Sequence, residues 1–225
     1  MPEVGLYEAM STLRAVRRLR PDPIPEASIR RIIQAAAWAP TGGNRQPWRV
    51  LIVRSAARKQ RLGELYAKQW GGYAGGHRSM LAAMPADARA RDEKMLRAGD
   101  HLARHFGRSP VILVVCFNPE LLAVTDAGLA RVSVVGGASI YTAVENLLLA
   151  CRAEGLGCVL TTLLCASEPE VKTLLAIPDP WATAAAIPVG YAVHRGHGPI
   201  SRRPVEKLAF DETWGAPYGG PRPHA

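Results

Sequence analysis

Apolar positions recur at helical spacing over residues 3–18, where Leu6, Met10, Leu13 and Arg17 fall on one stripe and Arg14, Arg17 and Arg18 crowd the end. The segment RPDPIP (20–25) must leave that helix, because two prolines follow Pro21 closely. Pro25 and Glu26 open a second helix, with Ile29, Ile32, Ile33 and Ala36 on its buried face and a stop at Ala39-Pro40. WRVLIV (48–53) predicts a buried strand, and residues 55–69 a polar helix. From 70 to about 92 the period lapses in WGGYAGGHRSM and MLAAMPADARA, which predicts a long irregular lid or binding loop. Helical character returns over 92–106. VILVVCF (111–117) predicts a strand. Residues 137–154 form a long helix, apolar almost all round apart from Glu145 and Asn146 and ended by Gly155. Such a helix is covered on most sides, by its own domain or by a partner chain. CVLTTLL (158–164) predicts a strand, 167–176 a short helix and TAAAIPVGYAV (183–193) the last strand.

Strands and helices alternate without a regular βαβ rhythm, so the expected class is α+β: a mixed central sheet flanked by helices. With 225 residues, a chain this size buries roughly 70% of its unfolded surface as one domain. We take 1–225 as that domain, with a lid or substrate segment about 70–108 and a tail about 194–225. The 48% hydrophobic and 21% charged content excludes disorder as the main state. No apolar run reaches the length of a membrane span, and the N-terminus lacks the pattern of a secretory signal. Cys116, Cys151, Cys158 and Cys165 sit among apolar neighbours and form no C-x-x-C pair. They read as reduced, buried thiols of a cytoplasmic protein, and their spacing does not suit zinc, so no metal is expected.

The net charge of +9 comes mostly from arginine. It has two readings: a phosphate-bearing partner, or the codon bias of a GC-rich genome. The basic residues are spread along the chain and form no nucleic-acid arm. No Rossmann fingerprint, P-loop, H-E-x-x-H or G-x-S-x-G occurs. Gly155-Leu156-Gly157 follows a helix and lacks the third glycine, and His194 and His197 lie on a Gly-rich tail that reads as a surface turn. Side-chain-driven hydrolysis therefore has no support.

Three segments carry candidate chemistry. Leu13-Arg14-Ala15-Val16-Arg17-Arg18-Leu19 clusters arginines that can fork onto a phosphate, or simply form a solvated basic face. Ala39-Pro40-Thr41-Gly42-Gly43-Asn44-Arg45-Gln46-Pro47-Trp48 combines glycines, which let backbone N–H groups approach a planar ligand, with two side-chain amides. Leu156-Gly157-Cys158-Val159-Leu160-Thr161-Thr162 offers hydroxyls at a strand end, joined later by Pro188-Val189-Gly190-Tyr191 and Ile200-Ser201-Arg202-Arg203-Pro204.

In this order the segments resemble the FMN-dependent nitroreductase family over roughly residues 6–210, and the L-T-T stretch resembles the branch with iodotyrosine deiodinase and mycobacterial nitroreductase-like proteins. The resemblance implies an intertwined homodimer with FMN at the interface. It implies that Arg14, Ala15 and Arg17 hold the FMN phosphate from one side and Arg202, or Arg203, from the other. Pro40, Thr41, Gly42, Asn44 and Gln46 would lie against the flavin of the partner chain, and Leu160, Thr161 and Thr162 would face the ring. His101 and Arg104 are ribityl or phosphate candidates, and Trp70 and Tyr73 belong to the lid. Leu13 stands where the family has an Arg, Ala15 where Ser is common, and Thr162 where some members place a Glu. The resemblance implies no catalytic side chain, because hydride chemistry belongs to flavin N5. The implied activity is ping-pong reduction of nitroaromatic, quinone or related acceptors by NAD(P)H. The competing readings are a specialised flavin enzyme of the same fold (reductive dehalogenase, flavin-fragmenting synthase or dehydrogenase), a deazaflavin user, and a non-enzymatic basic anion- or nucleic-acid-binding protein.

Overall fold

The structure is a computed structural model that describes residues 4–219, with backbone alone at 86–88. The outermost part of the predicted tail and the first three residues lie outside that range. The centre is one four-stranded sheet in the order β1-β2-β4-β3, with β1 at Trp48–Val53, β2 at Val111–Phe117, β3 at Gly157–Cys158 and β4 at Ala182–Gly190. The α+β class holds. All three ladders are antiparallel, and the expected mixed character reduces to one parallel bridge, Ala15 to Cys158.

β2 reads as an unbroken apolar run because both sheet faces are covered. Val111, Leu113 and Val115 point into one core cluster, and Ile112, Val114 and Cys116 into the other. The first cluster lies under α2 (Glu26–Ala37) and α5 (Ala138–Ala153), which pack on each other. Ile29, Ile32 and Ala36 of α2 meet Ala143, Val144 and Leu147 of α5, and Asn146 Nδ2 donates to Ala35 O across them at 3.1 Å. Gly155, at φ +71°, turns the chain after α5, and Leu156 N–H returns to Cys151 O at 2.8 Å. The second cluster lies under α3 (Ala56–Ala82), α4 (Ala86–His105) and α6 (Glu168–Leu175). Three cysteines are buried and Cys165 is partly so; burial pushes the Cys116 thiol up to about 11.

Three expectations are corrected. The irregular stretch at 70–92 is mostly helix, because α3 runs straight through Gly71, Gly72, Gly75 and Gly76. Each glycine costs about 1 kcal/mol of helix propensity. The offset is tertiary: Tyr66, Trp70, Ala74 and Leu81 stay buried against the Leu96, Leu102 and Phe106 side. Trp70 and Tyr73 are therefore helix residues, not parts of an open loop. Second, the N-terminal helix α1 is only Leu6–Thr12. Residues 13–20 are extended and run along the sheet edge: Val16 N–H donates to Cys158 O and Arg20 N–H to Tyr191 O, both at 2.8 Å, while Val193 N–H returns to Arg18 O at 3.0 Å. Third, the strand expected at 158–164 stops at Cys158. Thr161 keeps a single bridge to Ala186 before a tight turn over Leu163–Ser167. Among the described residues no helix is long and apolar enough to cross a membrane.

Candidate functional site

The extended segment 13–20 positions the arginines. Val16 goes inward and is buried, while Arg14 and Ala15 stay at the surface. β3 lies beside this segment, and the tail crosses it on the other side. The result is a cleft of about 260 Å³. Arg14, Ala15 and Arg17 form one wall, Cys158, Val159 and Leu160 the floor, and Ile200 and Arg202 the far side. Met10 of α1 with Glu145 and Leu148 of α5 close the end. Among the described residues none of Arg14, Arg17 and Arg202 makes an ion pair. Three guanidinium groups against one carboxylate leave the cleft cationic. Its apolar floor and its charge suit an amphipathic ligand with a phosphate end.

The other candidate residues lie elsewhere. Arg203 is exposed and outside the cleft. The Thr161 side chain is buried, and its Oγ1 accepts from Leu163 N–H at 3.3 Å, so it braces the turn instead of facing the cleft. Burial raises the pKa of the Tyr66 phenol, with Thr161 and Arg17 acting in the opposite sense. Thr162 is exposed and does not line the cleft. His101 stacks on His105, with ring centroids 4.1 Å apart, in a second cleft reached by the other side of Arg17. Burial first, then Arg18, His105 and Arg104, lower its pKa. Arg104 Nε donates to Asp100 O at 3.2 Å, and the residue lines neither of these two clefts. Trp70 is buried, and its Nε1 donates to Asp100 Oδ1 at 2.8 Å; Tyr73 is exposed beside it.

Pro40, Thr41, Gly42, Asn44 and Gln46 sit in the connection between α2 and β1, outside the cleft of their own chain. The loop is held in a defined shape. Gly42 N–H donates to Ser139 Oγ at 3.0 Å, Gln46 N–H to Thr41 Oγ1 at 3.1 Å, and Gln46 Nε2 to Asn44 Oδ1 at 3.2 Å. Asn44 and Gln46 both adopt left-handed backbone, at φ 53° and 48°. Such strain in non-glycine residues gathers at functional loops.

The sequence reading missed His197. It is half-buried on the tail, its Nε2 is 2.9 Å from Leu156 O, and Arg14 N–H donates to its Nδ1 at 3.4 Å. The only signal was a histidine flanked by Gly196 and Gly198; a Cβ on Gly196 would collide, sitting 2.7 Å from Ala192 Cβ at φ +69°, and Gly198 is at φ +158°.

A profile of the Nitroreductase family matches residues 12–191. The chain belongs to the nitroreductase family. It is 30% identical over 210 residues to an NADH dehydrogenase of Thermus thermophilus, covering 93% of this chain and 97% of that one. It is 30% identical over 204 residues to the 5,6-dimethylbenzimidazole synthase of Rhodobacter capsulatus, covering 88% and 89%. Among solved structures, a putative nitroreductase from Desulfovibrio desulfuricans in complex with FMN aligns with a TM-score of 0.64 at 24% identity, covering 93% of this chain and 97% of that one. The matched span of this nitroreductase-family chain contains Arg14, Arg17 and the 40–46 loop but ends before His197 and Arg202. The tail's share of the cleft is thus seen in the fold and lies beyond the family match.

Proposed function

We propose that this chain is an FMN-dependent oxidoreductase that draws hydride equivalents from NAD(P)H and delivers them to a nitroaromatic, quinone or related acceptor. One observation carries the reading: Arg14, Arg17 and Arg202 line one cleft floored by Val159 and Leu160, with Glu145 the single carboxylate beside them. When bound, FMN supplies hydride acceptance and release at N5. The three guanidinium groups offset the charge of its phosphate. Arg14 contributes its Nη1 edge, because its Nε and Nη2 donate to Pro199 O. Met10, Leu13 and Leu148 keep water from the apolar part of the cleft. The cleft is one-sided in a single chain. A second copy would supply the other wall through the loop carrying Pro40, Thr41, Gly42, Asn44 and Gln46, so the working unit is a homodimer, and we assign it to the cytoplasm. The α3–α4 hairpin, with Tyr73 exposed on it, is proposed as the acceptor side.

The test is a visible spectrum of the purified protein with mass analysis of the released chromophore, then NAD(P)H oxidation with a nitroaromatic and with a quinone. About one FMN per chain and parallel double-reciprocal lines are expected. A colourless protein that takes up no added FMN would refute the reading. The likeness to a 5,6-dimethylbenzimidazole synthase supports a second reading. It predicts that reduced, FMN-loaded protein in air, without an acceptor, releases 5,6-dimethylbenzimidazole, which chromatography would detect.

A further inference from the structure

The tail segment 197–202 reaches the cleft with little secondary structure of its own, and its course is fixed by contacts to the segment that carries Arg14. Gly198 N–H donates to Thr12 O at 2.9 Å and Ile200 N–H to Ser11 O at 3.3 Å. Arg14 Nε donates to Pro199 O at 3.0 Å. Gly198 is buried against the Arg14 guanidinium, with φ +158°, and a Cβ there would sit 3.5 Å from Arg14 Cζ. His197 stands at the head of this strap and faces two backbone groups of opposite kind. Leu156 O can only accept, and Arg14 N–H can only donate.

A histidine satisfies that pair in one state alone: neutral, with its proton on Nε2 and its lone pair on Nδ1. We propose that neutral His197 is a positioning residue for the phosphate end of the cleft, a pin that joins Leu156, Arg14 and the tail so that Arg14 and Arg202 converge. His197 does not itself line the cleft and acts through Arg14 and through the path of the tail. The charged groups around it are Arg14 and Arg152 of α5, the latter paired with Glu8 of α1 at 3.0 Å, and its chain neighbour Arg195; His194 is the titratable group next to that arginine. A proton on Nδ1 would therefore meet an N–H donor in a mainly cationic neighbourhood. Burial lowers the His197 pKa, the bond to Leu156 O raises it, and Arg152 lowers it again, which keeps the ring in the pinning state at neutral pH.

This inference rests on the flavin reading, and the experiment separates the two. Dissociation constants for FMN and for riboflavin, which lacks the phosphate, are measured at pH 8 on the full chain and on His197→Ala and His197→Gln. Wild-type binding of FMN tests the flavin reading; the variants test the pin. Glutamine offers an N–H donor and an oxygen acceptor with similar separation, so it should restore the pin. We expect His197→Ala to bind FMN about tenfold more weakly, the scale of one or two lost hydrogen bonds that hold a charged-group contact. Its riboflavin affinity should stay within about twofold, and His197→Gln should bind FMN like the wild type. Unchanged FMN affinity in His197→Ala, equal loss of both flavins, or no rescue by glutamine overturns the proposal. Should His197→Ala fail to fold, 15N shifts of the wild-type imidazole decide: a proton on Nε2 supports the pin, and one on Nδ1 overturns it.

Discussion

Arg14 and Pro199, 185 positions apart in the chain, meet where the Arg14 guanidinium donates through both Nε and Nη2 to the Pro199 carbonyl oxygen. That contact ties the N-terminal edge segment to the C-terminal tail, and it places Arg202 opposite Arg14 across one cleft. The guanidinium is thereby oriented before any ligand arrives, which reduces the ordering cost of binding.

Arg14→Ala combined with Arg202→Ala should release FMN while leaving the sheet and its two cores intact, because both side chains are exposed and only the tie from Arg14 to Pro199 is lost. Each charge-assisted bond to a phosphate contributes about 1.5–3 kcal/mol, so affinity should fall by about a hundredfold or more. Flavin fluorescence titration measures the loss, and circular dichroism checks the fold. A double variant that stays fully flavinated puts the phosphate elsewhere.

Gly99→Ala should destabilise the α3–α4 hairpin. A Cβ at Gly99 would lie 2.0 Å from the Trp70 ring, and Trp70 cannot swing away without losing the bond from its Nε1 to Asp100. Overpacking of this kind costs about 1–3 kcal/mol, and a rigid neighbour argues for the upper end. Urea unfolding would read a lower midpoint with an unchanged slope. A midpoint equal to the wild type's would show that the hairpin repacks freely.

Stability should fall as pH drops below about 6.5. His101 and His197 both have pKa values lowered in the folded chain, chiefly by burial. The unfolded chain then binds protons at higher pH than the folded one, so unfolding gains proton uptake as acid is added. The contribution is complete above the unfolded value near 6.5 and is lost as pH falls through that value toward the folded ones. Urea midpoints at pH 8, 6.5 and 5.5 should decline in the wild type and decline less in His197→Gln.

A stable dimer is expected. Leu6, Tyr7 and Met10 of α1, Trp38 and Tyr141 are large apolar residues left exposed in the single chain, Tyr7 at 84% and Trp38 at 74%. Surface of that kind marks an interface. Light scattering at micromolar concentration should give twice the chain mass. A monomer that still holds flavin would contradict both the dimer and the shared cleft.

The period of apolar residues was enough to locate α2, β1, β2 and α5 within a residue or two, because each buries a continuous face or stripe. It misjudged 70–92, where glycines hide a helix whose stability comes from Trp70 and Ala74 packing against α4. It also extended α1 through Arg17. Helical spacing there was accidental, and the sheet edge offered Val16 and Arg20 backbone partners at Cys158 and Tyr191. The sequence around His197 predicts a surface turn, since nothing nearby signals that its partners are Leu156 and Arg14.

The sequence by itself determined the fold class, the family and the residue types of the site: arginines in two distant segments, and a loop of glycines and amides. Those follow from local pattern and composition, which act over a few residues. Only the tertiary structure decided which arginines share a cleft, that Thr161 is spent on bracing its own turn, and that a tail histidine holds the two ends of the chain together. The shared cleft and the histidine's hold depend on groups more than 180 residues apart finding a donor or an acceptor, and the turn at Thr161 depends on where the sheet releases the chain; the order of residues along the chain does not record such pairings.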